Sequence, residues 1–318
     1  MSSSSPENSS TLLALSNNLA DAVEQAGSCV VAVKARTSYR GASRSRISSS
    51  GIHWRSGIVV TADETIKRSE DITVTLDDGR SVPATLAGRD SSTDIAVLKL
   101  PDVELPVAQV GEVTSLKVGH LVLAVGRSDE SGLNATLGTV SALGGPWRSS
   151  YGGLIDQFVR LDLTLYPNIE GGPLVDATGR VVGMVVSGPR RTVLAIPATT
   201  VNRVVDTLLE KGRITRGYLG LGMQPVRLPE TLKSTLNLAS VGGVIVVNVE
   251  PNGPAEQAGV MIGDVLVAIN DTSVSDTGDV QAMLGSQSVG QTLKAQIVRG
   301  GALVEVAIAP GERPWKED

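Results

Sequence analysis

The chain has 318 residues, of which 41% are hydrophobic and 19% charged, and a formal net charge of −5. That length fits two domains, and the negative balance excludes general nucleic-acid binding. The single cysteine, Cys29, excludes an intrachain disulfide, and no run nears the about 18 apolar residues of a transmembrane helix.

Residues 1–10 are Ser-rich and are expected to be disordered. They lack the basic region and apolar core of a signal peptide, so cytoplasmic residence is the expectation. Residues 12–26 carry Leu12, Leu13, Leu15, Leu19, Ala22 and Val23 at helical spacing, and Gly27 fits the stop. A first strand begins at Val30. Cys29 lies in an apolar run and reads as a buried structural thiol. Residues 38–50, with Arg40, Arg44 and Arg46 among serines, read as a surface loop.

Short strands follow at residues 58–61, 72–76, 95–100, 121–125, 135–140, 158–163, 181–186 and 193–196. Ile72, Val74 and Leu76 alternate with polar residues, and Asp78-Gly79 supplies a turn. Few aromatics (3%) and 35 glycines also favour a largely β protein with aliphatic packing. Many short strands broken by turns favour a barrel or sandwich over a βαβ fold. Residues 199–211 form a helix with Val201, Val204, Val205, Leu208 and Leu209 on one face, ended by Gly212.

Several motifs carry a resemblance. The run Asn168-Ile169-Glu170-Gly171-Gly172-Pro173-Leu174 resembles the nucleophile loop of HtrA-type trypsin-like serine proteases, with Glu170 at the serine position. Residues 88–99, around Asp94, resemble the segment that bears the triad aspartate, and Glu64, after Val59-Val60-Thr61, falls at the histidine position. Residues 253–259 and 263–270 resemble the helix, turn and strand of a PDZ domain in the order found in HtrA proteins. The resemblance implies a mostly β chain, with a trypsin-like double β-barrel over residues 11–215. A small α+β PDZ domain over 216–310 and a tail over 311–318 complete it.

The chemistry follows from these substitutions. A serine nucleophile needs an adjacent base and an orienting carboxylate behind it. Here only the orienting Asp94 is kept, and Asn168, Ile169 and Glu170 make up the oxyanion turn. The expectation is a pseudoprotease. His53 and His120 read as partly exposed strand-end or loop residues, and neither has a zinc-ligand spacing. The alternatives are an active HtrA-like serine endopeptidase, or a metal site formed by Glu64, Asp94 and Glu170 with a hard cation. Neither a cofactor nor a resident metal is expected in the leading reading.

In the PDZ-like half, the resemblance makes Tyr218-Leu219-Gly220-Leu221 the carboxylate loop and the start of the binding strand. Val280, Met283 and Leu284 on the opposing helix would line an apolar pocket. The implied partners are peptide C-termini or unfolded segments. A homo-oligomer, or co-assembly with an active HtrA-like protease, is a further implied arrangement. Neither nucleic acid nor membrane is expected as a partner.

Overall fold

The computed structural model describes residues 6–35, 47–66, 71–149, 151–238 and 242–312. The chain divides into two compact units between Arg213 and Ile214. The first opens with α1 (Pro6–Gly27), whose start corrects the expectation of disorder through residue 10. Proline suits a helix start, because its missing N–H has no partner there in any case. Ala22 and Ala26 are buried, whereas Leu12 and Leu13 are 68% and 62% exposed, so only the C-terminal half of α1 packs on the body.

Six strands then close a barrel: β1 (Val30–Ala35), β2 (Ile47–Arg55), β3 (Ile58–Thr61), β4 (Ile72–Thr75), β5 (Ser81–Asp90) and β6 (Ile95–Lys99), in spatial order β1-β2-β3-β6-β5-β4. Val31, Val33, Val59, Val74 and Leu98 are fully or almost fully buried in its interior. Strand β2 starts at Ile47, which corrects the loop expectation for residues 47–50; Arg40, Arg44 and Arg46 lie outside the described residues. Ser49 and Ser50 tolerate burial because their hydroxyls are satisfied: Ser49 donates to Thr65 Oγ1 (3.1 Å) and Ser50 to the Asn168 carbonyl (2.6 Å).

The second barrel uses β7 (Leu121–Ser128), β8 (Gly132–Gly144), β11 (Phe158–Asp162), β12 (Pro173–Asp176), β13 (Val181–Ser187) and β14 (Val193–Pro197); a small hairpin, β9 (Trp147–Arg148) and β10 (Leu154–Ile155), stands between β8 and β11. Its interior is again aliphatic, with Val122, Ala124, Leu174, Val182 and Val185 at 0–1% exposure. The double β-barrel expected from the resemblance is therefore present. Helix α2 (Ala198–Lys211) buries Val201, Val204, Val205 and Leu208, and Gly212 ends it in the left-handed region at φ 71°. Trp54 Nε1 donates to Asn202 Oδ1 (2.8 Å), tying α2 to the first barrel.

The seam between the barrels is polar and specific. Arg127 on β7 donates from Nε to the Val30 carbonyl (2.7 Å) and from Nη2 to the Gly27 carbonyl (2.9 Å), and its own N–H goes to Ser50 Oγ (2.8 Å). His53, expected near the surface, is 1% exposed. Its Nδ1 lies 2.9 Å from the Pro106 carbonyl, and Gly57 N–H donates to Nε2 at 3.2 Å. Both ring nitrogens are engaged in holding loops, which is how a buried imidazole is made tolerable. His120 is exposed, as expected.

The second unit contains β15 (Gly217–Tyr218), β16 (Leu221–Arg227), α3 (Glu230–Leu236), β17 (Gly242–Val249), α4 (Pro254–Gln257), β18 (Val265–Ile269), β19 (Thr272–Ser273), α5 (Thr277–Met283), β20 (Leu293–Arg299), β21 (Ala302–Ile308) and β22 (Gly311–Glu312). The sheet runs β16-β17-β18-β20-β21, which leaves β16 at one edge. Residues 311–312 pair with β15 and so belong to this unit, a correction to the tail expected from 311. An Asp276–Asp279 capping box starts α5, each side chain accepting a backbone N–H of the other's turn.

Candidate functional site

The first candidate site lies where the 168–172 turn meets the first barrel. Gly171 has φ 79°, and a Cβ there would sit 2.5 Å from the Ser50 carbonyl; one on Gly172 would sit 2.1 Å from the Val125 carbonyl. Only glycine fits this position between the barrels. Ser50 N–H donates to the Glu170 carbonyl (2.9 Å), and Thr61 Oγ1 donates to the Ser50 carbonyl (2.6 Å), which completes the anchorage. Ser50 is thus a positioning residue that the sequence reading placed in a loop.

Beside this turn the charges of Glu64 and Glu170 both bear on Asp94. Glu64 is exposed on the 3₁₀ turn Asp63–Thr65, and its N–H donates to Asp94 Oδ1 at 2.8 Å. Asp94 adopts φ 56°, a left-handed conformation that Asp and Asn tolerate better than other side-chain-bearing residues. Burial pushes the Asp94 carboxyl up to about 7; the Glu64 N–H opposes this, while the charges of Asp63, Glu170 and Glu64 add to it. The Asp63 carboxylate is buried and ion-paired with Arg89. Glu170 Oε1 accepts the Ser187 N–H (3.0 Å) at the end of β13.

The backbone of the turn is also committed. Ile169 and Glu170 N–H both reach the Tyr166 carbonyl, at 2.9 and 3.3 Å. In serine proteases the nucleophile's N–H and that of the residue two before it stabilise the oxyanion. By the resemblance the corresponding groups here would be those of Glu170 and Asn168, and the Glu170 N–H points back into its own turn. Among the described residues no group of three or more His, Cys, Asp or Glu side chains is arranged to hold a metal ion. That corrects the alternative of a cation site at Glu64, Asp94 and Glu170. Cys29 is buried, and burial raises its thiol to about 11, which suits a structural role.

The second candidate site is the free edge of β16. Helix α5 lies against this strand, and Gly217 N–H donates to the Leu284 carbonyl (3.0 Å). Gly220 has φ 75°; its carbonyl accepts the Glu250 N–H (2.8 Å) and the Leu219 carbonyl accepts the Ala255 N–H (2.9 Å). The N–H groups of Leu219 and Gly220 donate to nothing among the described residues. Two adjacent unpartnered donors at a strand start can receive an anion. Leu221, Met283 and Leu284 are partly buried against the core. Val280, expected in the apolar pocket, is 0% exposed, and Leu219, expected in the carboxylate loop, is 4% exposed: strand and helix periodicity turns both side chains toward the core. Tyr218 pairs with Gly311 across β15 and β22.

Comparison with known proteins agrees with this geometry. Residues 49–184 match the trypsin-like peptidase domain and residues 217–309 the PDZ domain. A Chlamydia pneumoniae protein named "Probable periplasmic serine endoprotease DegP-like" is 31% identical over 268 residues, covering 82% of this chain and 54% of that protein. A Brucella suis protein of the same name is 33% identical over 266 residues, covering 81% and 51%. The chain therefore spans about half the length of the curated relatives it matches. Among solved structures, the HtrA-type protease AlgW with a decapeptide superposes at TM-score 0.71 and 27% identity, over 93% of this chain and 99% of that one. The serine endoprotease from Yersinia pestis gives 0.71 and 27%, over 93% and 98%.

The expectation of a cytoplasmic location is overturned by these relatives, which are named periplasmic. No helix among the described residues is long and apolar enough to cross a membrane. In domain make-up and overall likeness the chain is of the HtrA/DegP type, a trypsin-like peptidase domain followed by a PDZ domain.

Proposed function

We propose that this chain is a peptide-binding adaptor or regulator built on a serine-peptidase scaffold without serine-peptidase chemistry. The observation that carries the reading is the pair of acids beside Asp94: Glu64 donates its N–H to the Asp94 carboxylate, and the Glu170 charge bears on the same group. By the resemblance these are the histidine and serine positions. A carboxylate at the serine position offers no hydroxyl to activate, and one at the histidine position replaces the imidazole that serves the triad as general base and acid. In one well-studied serine protease, loss of the nucleophile or base alone costs about 10⁶ in turnover. The engagement of Glu170 with the Tyr166 carbonyl and the Ser187 N–H supports the same reading, because it uses up hydrogen-bonding groups of the turn.

The surviving activity would reside in the PDZ domain. A PDZ domain takes a peptide as an added strand and captures its terminal carboxylate on backbone N–H groups. The edge position of β16 and the free N–H groups of Leu219 and Gly220 support that role. The peptide complex of AlgW supports it by analogy. Partners would be free C-termini or unfolded segments, with self-assembly or co-assembly with an active relative through the barrels, and periplasmic work as for the named relatives.

The test pairs a fluorophosphonate probe with casein cleavage, for the wild type and for Glu64→His/Glu170→Ser. The expected result is no labelling and no cleavage by the wild type. Specific labelling of a wild-type serine in the barrels would overturn the reading in favour of an active endopeptidase. Activity gained by the double variant would show that the scaffold lacks only its reactive groups.

A further inference from the structure

The edge strand β16 contains a proline, Pro225, exposed and opposite Val244 of β17. Its orientation follows from the neighbouring ladder. Val246 N–H donates to the Asp264 carbonyl and Gly263 N–H to the Val246 carbonyl, so Val246 turns its backbone away from β16. Successive residues of a strand turn their N–H and C=O to opposite edges. Val244 therefore also faces β18, and Ile245 and Gly243 face β16, opposite Gln224 and Val226. Pro225 and Val244 form a pair without mutual hydrogen bonds. The Pro225 nitrogen is turned to the free edge, the place where a strand tolerates proline.

The same alternation gives the free edge to Leu221, Met223 and Pro225, and the bond from Glu250 N–H to the Gly220 carbonyl agrees with it. A peptide added antiparallel, with its carboxylate at Leu219 and Gly220, sets its last residue beside Leu221. Its third residue from the end lies beside Met223 and its fifth beside Pro225. Leu221 and Met223 offer N–H and C=O; Pro225 offers C=O alone. We infer that Pro225 ends the peptide ladder, so that residues upstream of the last four gain no N–H bond from this strand and add little to binding. This rests on the peptide-binding reading above and sets how much of a peptide that site would read. A proline on an edge also blocks strand-to-strand aggregation, and the length dependence below reads the ligand effect separately.

The experiment measures binding of the full chain to peptides of four and eight residues that share one C-terminal tetrapeptide. One set ends in Val and one in Phe, with Ala, Thr and Val upstream, and each is also made as the C-terminal amide. Wild type is expected to bind the two lengths within about twofold of each other. Pro225→Thr restores an N–H, and one net hydrogen bond predicts about three- to tenfold tighter binding of the longer peptide, with the shorter unchanged. Pro225→Ala serves as a second variant should the first fail to fold. A wild type that gains from the extra residues as much as the variants do, or variants with no length dependence, would overturn the inference. If no peptide of either length binds, or the amides bind as well as the free acids, the peptide-capture reading falls with it.

Discussion

Replacing Asp94 by Asn removes one ionisable group from the carboxylate cluster and leaves the backbone almost untouched. Asn accepts the left-handed conformation found at this position, φ 56°, and its Oδ1 can still receive the Glu64 N–H. In the folded chain the Asp94 carboxyl sits at about 7, against the ordinary 3.8, because of burial and then the charges of Asp63, Glu170 and Glu64. A carboxyl raised on folding binds its proton more tightly in the native state. Between those two values the native state holds more protons than the unfolded chain, so stability falls as pH rises. The contribution is fully present below about pH 4 and is lost as pH passes about 7. The interval corresponds to at most ~4 kcal/mol, and about 2 kcal/mol after allowance for partial solvent access to the cluster. Urea denaturation of wild type and Asp94→Asn at several pH values between 4 and 8 measures this directly. The variant is expected to match wild type near the acid end and to exceed it by about 2 kcal/mol at the alkaline end. A difference that stays constant with pH, or a variant that loses stability toward pH 8, would refute the carboxylate-cluster reasoning.

Gly220→Val forces a β-branched side chain to φ 75°, which costs about 1–2 kcal/mol in chemical denaturation and misaligns the free N–H groups, so peptide binding weakens in parallel. Asp264 is buried, which pushes its carboxyl up, but the hydrogen bonds from Arg299 and Met261 outweigh this and hold it below 3.8. Its stabilisation is present above that value and fades as pH falls below it. Asp264→Asn should lower the Tm at neutral pH, and the gap to wild type should close in strong acid; a gap independent of pH would count against the pairing.

The features legible in the sequence were those in which local chemistry and fold coincide. Asn168 to Leu174 requires two glycines in a row, and the structure shows carbonyls of Ser50 and Val125 crowding both of them. The alternation of Ile72, Val74 and Leu76 follows the two faces of a strand, and all three are buried. What escaped were residues whose burial is compensated by distant partners. Ser49 and Ser50 look like loop residues because their acceptors, Thr65 and Asn168, are remote in sequence. His53 looks like a surface residue for the same reason, since its ring is satisfied by Pro106 and Gly57. For Val280, resemblance and helical spacing give the face of a helix without telling whether that face meets ligand or core. The orientation of Pro225 required the register of three strands.

One guanidinium gives the peptidase-like half a mechanical property. Arg127 holds carbonyls from the end of α1 and the beginning of the first barrel, while it is itself part of the second. Prising the barrels apart would exchange both of these charge-assisted hydrogen bonds for water, a loss that neither barrel can make good alone. Calorimetry of this half should therefore record a single melting event, and proteolytic nicking between the barrels should release no stable fragment.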